Sequence, residues 1–506
     1  MGRHGFLGAA ALAVAGMTLG TMAYDSPAQA KSKVKTIKTA TSISAKEKAQ
    51  GAEAHPQLMQ EFGGAYTGAQ AAYVTRVGQN IAVQSGMSNA TSDFTVTLLN
   101  SPVNNAFAIP GGYVYVTRQL MALMNDEAEL AGVLGHEVGH VAAMHSKKRQ
   151  GAAQRNVLLG VLATVVGGAI GDNGGLAGAV GGLLQNNALQ LAQLATLSFS
   201  RGQELQADEL GVRYLSSAGY DPMALSTMLK SLADQTTLDA RVAGQDARSL
   251  PEWASTHPDP ASRVVNAASL ATKTGSTSTK RSSDAFMSAL DGVLYGDDPK
   301  EGVIEGRDFL HPDLKIGFTI PAGFGMQNGT TAVSIAGQSG QGEFSTMAYA
   351  GNMETYIAAV FKKVGGETAI KYGTVQRTTI NGIPVGYSSG RVAGQSGEVD
   401  VTVFAYEFSG TQAFHFATIA KAGGSNVFDP MYASVRRLTD AQAAAIKPRE
   451  IDVVTVKKGD TIASLATRMA YGDFQVDRFL VLNRLAAGAA LTPGQKVKVV
   501  LYGKRS

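Results

Sequence analysis

The chain has 506 residues, 44% of them hydrophobic and 17% charged, with a formal net charge of +4. That length supplies two or three packed cores, and so small a net charge, with no basic block or interleaved aromatic pattern, argues against a nucleic-acid partner. There is no cysteine, which excludes disulfides and thiolate metal sites in any redox compartment.

The first thirty residues read as a targeting segment. Arg3 and His4 precede an apolar run from Phe6 to Ala23, and Ala28-Gln29-Ala30 is an A-x-A cleavage site. The pattern predicts a signal peptide over 1–30, cleavage after Ala30 and a periplasmic location. Residues 31–54 are rich in Lys, Thr, Ser and Ala and are expected to be flexible. A mostly helical domain is expected over 55–271, with one strand pair at 94–99 and 106–117.

The segment from Asn125 to Arg149 reads as an amphipathic helix. Asn125 is placed to cap it, and Asp126, Glu127 and Glu129 put negative charge in its first turn. Leu130, Val133, Leu134, Val138 and Val141 make an apolar stripe. Lys147, Lys148 and Arg149 suit its far end, and Gly151 its stop. Gly135 and Gly139 each cost roughly 1 kcal/mol relative to Ala in a helix interior, which predicts a close neighbour, either backbone or substrate.

That helix carries His136-Glu137-Val138-Gly139-His140, an H-E-x-x-H motif. Histidines four apart share one helical face, so both imidazoles reach one metal ion. Glu137 would point at a water in the open position, take its proton and return it to a leaving amine. A catalytic zinc needs a third protein ligand. Ser200-Arg201-Gly202-Gln203-Glu204-Leu205-Gln206-Ala207-Asp208 offers two carboxylates, Glu204 and Asp208, one turn apart. One would bind metal, and the other would accept the free ring N–H of a ligating histidine. Between the two motifs, 157–184 is rich in Gly and Ala with about fourteen apolar residues near its start, too few to span a bilayer. It leaves open a lid near the cleft, a peripheral membrane contact and an oligomer contact. His257 lies in the Pro-flanked stretch Thr256-His257-Pro258-Asp259-Pro260, shortly before Arg263. It would hydrogen-bond a developing oxyanion, fill the open metal position, or only make a turn before a short helix.

Residues 272–299 read as a Ser/Thr/Gly/Lys linker. Alternating segments over 300–440, interrupted by one helix at 353–364, predict an α+β domain with a mainly antiparallel sheet. Over 450–502 the order is strand, Lys457-Lys458-Gly459-Asp460-Thr461 turn, two helices (the second ending at Asn483), Pro493-Gly494-Gln495 and a closing strand. This unit resembles a LysM module, a βααβ fold, and the resemblance implies contact with peptidoglycan.

H-E-x-x-H followed by S-R-x-x-E-x-x-A-D resembles the HtpX/BepA-type zinc metallopeptidases, a gluzincin family related to the CAAX prenyl proteases. Tyr73-Val74-Thr75-Arg76-Val77-Gly78-Gln79, the run Asn104 to Gly112, Leu210-Gly211-Val212, Gly219-Tyr220-Asp221-Pro222 and Ser255-Thr256-His257-Pro258 also match. The resemblance covers roughly 50–270. It implies one Zn2+ held by His136, His140 and Glu204, with Glu137 as general base and Asp208 behind a ligand. The expected chain is multidomain: a mainly α zincin-type peptidase domain with a small sheet, an α+β domain, and a small βααβ module. The expected activity is endopeptidase cleavage of unfolded or misassembled envelope proteins. Asn105, Ala106, Phe107 and Ala108 would take an extended substrate by strand addition. The alternatives are a peptidoglycan-bound scaffold or chaperone with a non-catalytic zinc, and a peptidase of peptidoglycan cross-links.

Overall fold

In a computed structural model of the chain, residues 37–87, 90–147, 199–242, 257, 260–366, 369–394 and 397–504 are described. The targeting segment and 157–184 fall outside them. Thr39 onward forms one compact unit.

Helix α1 (Ala45–Glu61) opens on a capping box between Ser44 and Glu47. The Ala40 N–H donates to Ala142 O at 2.7 Å. The stretch expected to be flexible therefore joins the first domain from Thr39. Then come α2 (Ala69–Ala82), β1 (Thr95–Leu99), β2 (Ala106–Ile109) and β3 (Tyr113–Thr117). The expected single strand over 106–117 is thus a hairpin, turned by Gly111 and Gly112 at φ 94° and 82°. A Cβ on Gly112 would also sit 2.2 Å from Asp93 O, so only glycine fits. The sheet order is β1-β3-β2, which leaves β2 at an edge.

Helix α3 (Arg118–Leu123) leads into α4 (Glu127–Ala142). The cap of α4 is Asp126, whose side chain accepts from the Glu129 N–H. Asn125, expected in that role, instead donates its backbone N–H to the Glu129 carboxylate at 2.7 Å. The helix also ends seven residues short of Arg149, and Met144 just beyond it is left-handed at φ 57°. Helix α5 (Arg201–Ser217) crosses α4 at close range. A Cβ on Gly139 would lie 3.2 Å from Ala207 O, and one on Gly211 3.0 Å from the His136 nitrogen. The α5 backbone is the close neighbour that Gly135 and Gly139 called for. Helices α6 (Ala224–Val242) and α7 (Pro260–Lys273) complete the layer.

The expected linker over 272–299 is structured. It contains α8 (Ser283–Leu290), which buries Phe286, Met287 and Leu290, and β4 (Leu294–Tyr295). The Ala128 N–H donates to Arg281 O, and the Arg281 side chain pairs with Asp126 and Asp221. Its Ser/Thr-rich start hides a short apolar stripe at helical spacing.

The next domain runs through β5 (Val303–Glu305), β6 (Asp308–His311), β7 (Ile316–Thr319), β8 (Phe324–Asn328), β9 (Ala332–Gly337), β10 (Gly340–Ala348), α9 (Met353–Gly365), β11 (Gln376–Ile380), β12 (Ile383–Gly394), β13 (Gly397–Ser409), β14 (Gln412–Lys421) and β15 (Arg436–Arg437). A seven-stranded antiparallel sheet, β11-β12-β13-β14-β10-β9-β8, is packed on both faces. Val399, Val401 and Val403 of β13 face Ile357, Val360 and Phe361 of α9. Tyr406 and Phe408 join Phe309 and Phe318 of the small β15-β7-β6-β5 sheet on the other side. The switch of faces follows the two-residue period of a strand, with Ala405 still on the α9 side.

The C-terminal unit is β16 (Arg449–Thr455), α10 (Ile462–Ala466), α11 (Gln475–Leu482) and β17 (Lys496–Tyr502), the expected βααβ order. β16 pairs with β17 on one side and with β4 on the other, where Leu294 and Tyr295 face Glu450 and Arg449. Lys498 of β17 is fully buried, and its ammonium donates to the carbonyls of Ala122, Leu123 and Met124 at 2.8, 3.4 and 2.6 Å. Arg484 pairs with Glu129, and Arg241 of α6 with Asp477 of α11. The unit is thus bolted onto the junction of α3 and α4. Among the described residues, no helix is long and apolar enough to cross a membrane.

Candidate metal centre and active site

The two halves of the site meet because α4 and α5 touch through glycine and alanine. That approach sets Glu204 and Asp208 of α5 against His136 and His140 of α4. The His136 and His140 Nε2 atoms lie 3.0 Å apart. Glu204 Oε1 is 3.4 Å from His140 Nε2, and its Oε2 is 3.6 Å from His136 Nε2. His257 Nδ1 is 3.4 Å from His136 Nε2 and 3.1 Å from Glu204 Oε2. All four residues are buried, and together they form a group able to hold a metal ion. The spacing fits one small ion, because a tetrahedral centre with bonds of about 2.1 Å has ligand–ligand edges of roughly 3.4 Å.

Glu137 is fully buried, and neither carboxylate oxygen has a hydrogen-bond partner among the described residues. Burial raises its pKa above the usual carboxylate range, against the pull of His257 and His136. Its Oε1 stands 3.6 Å from His257 Nε2. Burial would raise Glu204 too, but the charge of His257 and hydrogen bonds from His140 and His257 hold it far below the ordinary value. His140 is pushed well below its usual pKa by burial, which favours the neutral ring.

Asp208 Oδ1 lies 3.0 Å from His136 Nδ1, the ring nitrogen turned away from the centre. Arg263, in the first turn of α7, grips Asp208 with two hydrogen bonds of 2.7 and 2.9 Å and reaches Glu204 Oε2 at 2.6 Å. Burial works against the Asp208 carboxylate, but Arg263 outweighs it and holds the pKa at about 2. His257 and Arg263, far apart from the motifs in sequence, are therefore both brought to the centre. Burial opposes a charged His257, yet Glu204 and Glu137 raise its pKa above the usual value.

The four expected substrate-strand residues divide. Ala106 and Ala108 lie on edge strand β2, and Ala106 O is 3.3 Å from His257 Nε2. Phe107 packs into the core with Phe62, Leu99 and Tyr115, so its side chain is structural. Asn105 precedes the strand and ties its N–H to the Thr117 hydroxyl at 3.1 Å. A cavity of about 330 Å³ opens beyond β2, lined by Ile43, Glu47, Ile109, His140 and Met144. One group escaped the sequence reading. His145 is fully buried, with Nδ1 3.0 Å from His140 Nδ1 and Nε2 3.1 Å from Gln206 Oε1. The signal was a third histidine five residues past the motif.

An H-E-x-x-H helix set against an E-x-x-x-D helix, with four groups able to hold a metal ion and a buried glutamate beside them, is the arrangement expected of a metallopeptidase. The model of peptidase family M48 matches residues 68–271, and that of the LysM domain matches 454–500, so the chain carries an M48 peptidase domain and a LysM domain. The beta-barrel assembly-enhancing protease of Yersinia pestis is 32% identical over 167 residues, covering 32% of this chain and 33% of that protein. The mitochondrial metalloendopeptidase OMA1 of Schizosaccharomyces pombe is 31% identical over 185 residues, covering 36% and 50%. The metalloprotease LoiP of Escherichia coli K12 is 35% identical over 130 residues, covering 26% and 47%. The chain spans between a third and a half of the length of these relatives.

Proposed function

We propose that this chain is an exported zinc endopeptidase of the periplasm that cleaves unfolded or misassembled envelope proteins. The observation that carries the reading is Glu137, buried and without a hydrogen bond among the described residues, beside His136, His140, Glu204 and His257. His136, His140 and Glu204 would hold the ion. Zinc, when bound, would supply a Lewis acid that acidifies a water and polarises the scissile carbonyl. Glu137 takes the proton as the water oxygen attacks the carbonyl carbon, and returns it to the leaving amine nitrogen. Its raised pKa suits that exchange, because the carboxyl must hold a proton between the two steps. The edge of β2 supports binding of an extended chain by main-chain hydrogen bonds, a mode that favours unfolded substrates. The relatives named for β-barrel assembly support an envelope substrate. The turn at Lys457, Lys458 and Gly459 is exposed, which supports a LysM surface open to peptidoglycan.

The test compares wild type with Glu137→Gln on unfolded casein and on an unfolded outer-membrane protein. The variant should keep stoichiometric zinc, since Glu137 is not a ligand, and lose cleavage by about 10² or more. Full activity with full zinc would remove the mechanism.

His257 supports a held resting state. Its Nδ1 takes the fourth place among the ligand groups, and its Nε2 occupies Ala106 O, the edge carbonyl an extended substrate would pair with. A plug of this kind predicts that His257→Ala raises basal cleavage of casein. An oxyanion donor predicts instead a loss of about 10²–10³. The closed four-group set also favours a second reading, a peptidoglycan-bound scaffold with a structural ion, because structural sites fill all four positions with protein ligands. That reading requires both the wild type and His257→Ala to be inert toward casein.

A further inference from the structure

The two histidines of the motif are supported in different ways. Behind His136 stands an anion, Asp208, itself neutralised by Arg263. Behind His140 stands an imidazole. His140 Nδ1 and His145 Nδ1 are 3.0 Å apart, and the far nitrogen of His145 is 3.1 Å from Gln206 Oε1. Gln206 lies on α5, between Glu204 and Asp208 in sequence. The Gln203 side chain also donates to His145 O at 3.4 Å, which fixes the backbone of this residue to the same helix.

The chemistry of this chain of contacts sets the protons. His140 faces the ligand group through Nε2, so as a metal ligand its proton must sit on Nδ1. That N–H then donates to His145 Nδ1, which accepts only if His145 carries its own proton on Nε2. The Nε2–H in turn meets the Gln206 carbonyl oxygen, an acceptor. With an ion on His140 Nε2, these two contacts are complementary in this arrangement of protons.

We propose that His145 is the positioning residue of His140, fixing its tautomer and ring orientation through a neutral relay anchored on Gln206. The inference rests on the zinc reading above. A neutral support holds the ring without adding a negative charge to a pocket that already contains Glu137, Glu204 and Asp208 against Arg263. It also ties the chain just past α4 to α5, so the helix that carries Glu204 sets the aim of His140 as well.

The test uses the full-length chain and a chelator-competition measurement of zinc affinity at fixed pH. His145→Phe keeps the ring volume and removes the acceptor, and should weaken zinc by about 10–100-fold, as Asp208→Ala should on the other histidine. Gln206→Leu should weaken it by less. The double variant His145→Phe/Gln206→Leu should match His145→Phe alone, because Gln206 acts only through His145. Unchanged affinity in His145→Phe, or losses that add in the double variant, would overturn the proposal. Should His145→Phe fail to fold, His145→Gln serves, since its amide oxygen can accept and should restore most of the affinity. A second readout is tautomeric: nitrogen-15 histidine spectra of the zinc-loaded chain should show His140 protonated on Nδ1 and His145 on Nε2. The reverse tautomers would also overturn it. Wild type that binds no zinc would sink the zinc reading and the relay with it, whereas a zinc-binding wild type with an indifferent His145→Phe would sink the relay alone.

Discussion

A buried carboxylate that accepts no hydrogen bond among the described residues, such as Glu137, costs several kcal/mol unless something uses it. His415 illustrates the opposite arrangement, a buried titratable group fully committed to structure. It sits on β14 with the Tyr356 hydroxyl 2.9 Å from Nδ1 and the Ser345 hydroxyl 3.3 Å from Nε2. Burial, helped by Lys363, lowers its pKa from 6.5 to about 3. The folded chain keeps this ring neutral where the unfolded chain protonates it. Its contribution to stability is therefore complete above pH 6.5 and shrinks as pH falls toward 3. The loss should be about 1.4 kcal/mol for each pH unit in that window. Urea unfolding at pH 7 and pH 5 should show it, and His415→Gln should flatten the dependence. Individual residues were legible in the sequence where their partners were local. The four-residue spacings of His136 with His140, and of Glu204 with Asp208, can be read from a helix alone. The pairing of Arg263 with Asp208 depends on where α7 crosses, and no local pattern carries that.

At the scale of elements, the site is made by one contact, the crossing of α4 and α5. Gly211 gives it the least room, since an added Cβ would stand 3.0 Å from the His136 nitrogen. Gly211→Ala should gain helix propensity, yet the overpacking should dominate and destabilise the fold by about 1–3 kcal/mol. Zinc affinity should fall with it, because the helices that carry the ligands are forced apart. Thermal unfolding and chelator competition would check both, and a variant more stable than wild type would refute the argument. The end of α4 explains why His145 stayed hidden. On a helix continued to Arg149, five residues rotate a side chain by about 500°, which would turn His145 well away from His140. The left-handed Met144 breaks the helix first and swings the next residue back. A bulky residue in that conformation costs about 1–2 kcal/mol, and sequence patterns do not announce it. Composition misled in the same way at 283–290, where a polar run precedes a helix that buries three apolar side chains.

Across the whole molecule, the LysM domain is fastened to the peptidase domain rather than strung behind it. The Lys498 ammonium satisfies three carbonyls at the entry to α4. Lys498→Met should cost roughly 3 kcal/mol, because buried acceptors lose their donor. Wild type should unfold the two domains in one transition and the variant in two, as followed by calorimetry. A single unshifted transition would show that the lysine is dispensable. The pairing of β4 with β16 has a separate consequence. Leu294 and Glu450 are cross-strand neighbours although more than 150 positions separate them. The chain leaves the first domain at β4, builds the entire seven-stranded domain, and comes back to the same spot. In topological terms that domain is a cassette whose two ends are already joined by a sheet. Exchanging it for a short turn would leave the histidine and carboxylate cluster of α4 and α5, the docked LysM domain and the seam between them connected in the same order.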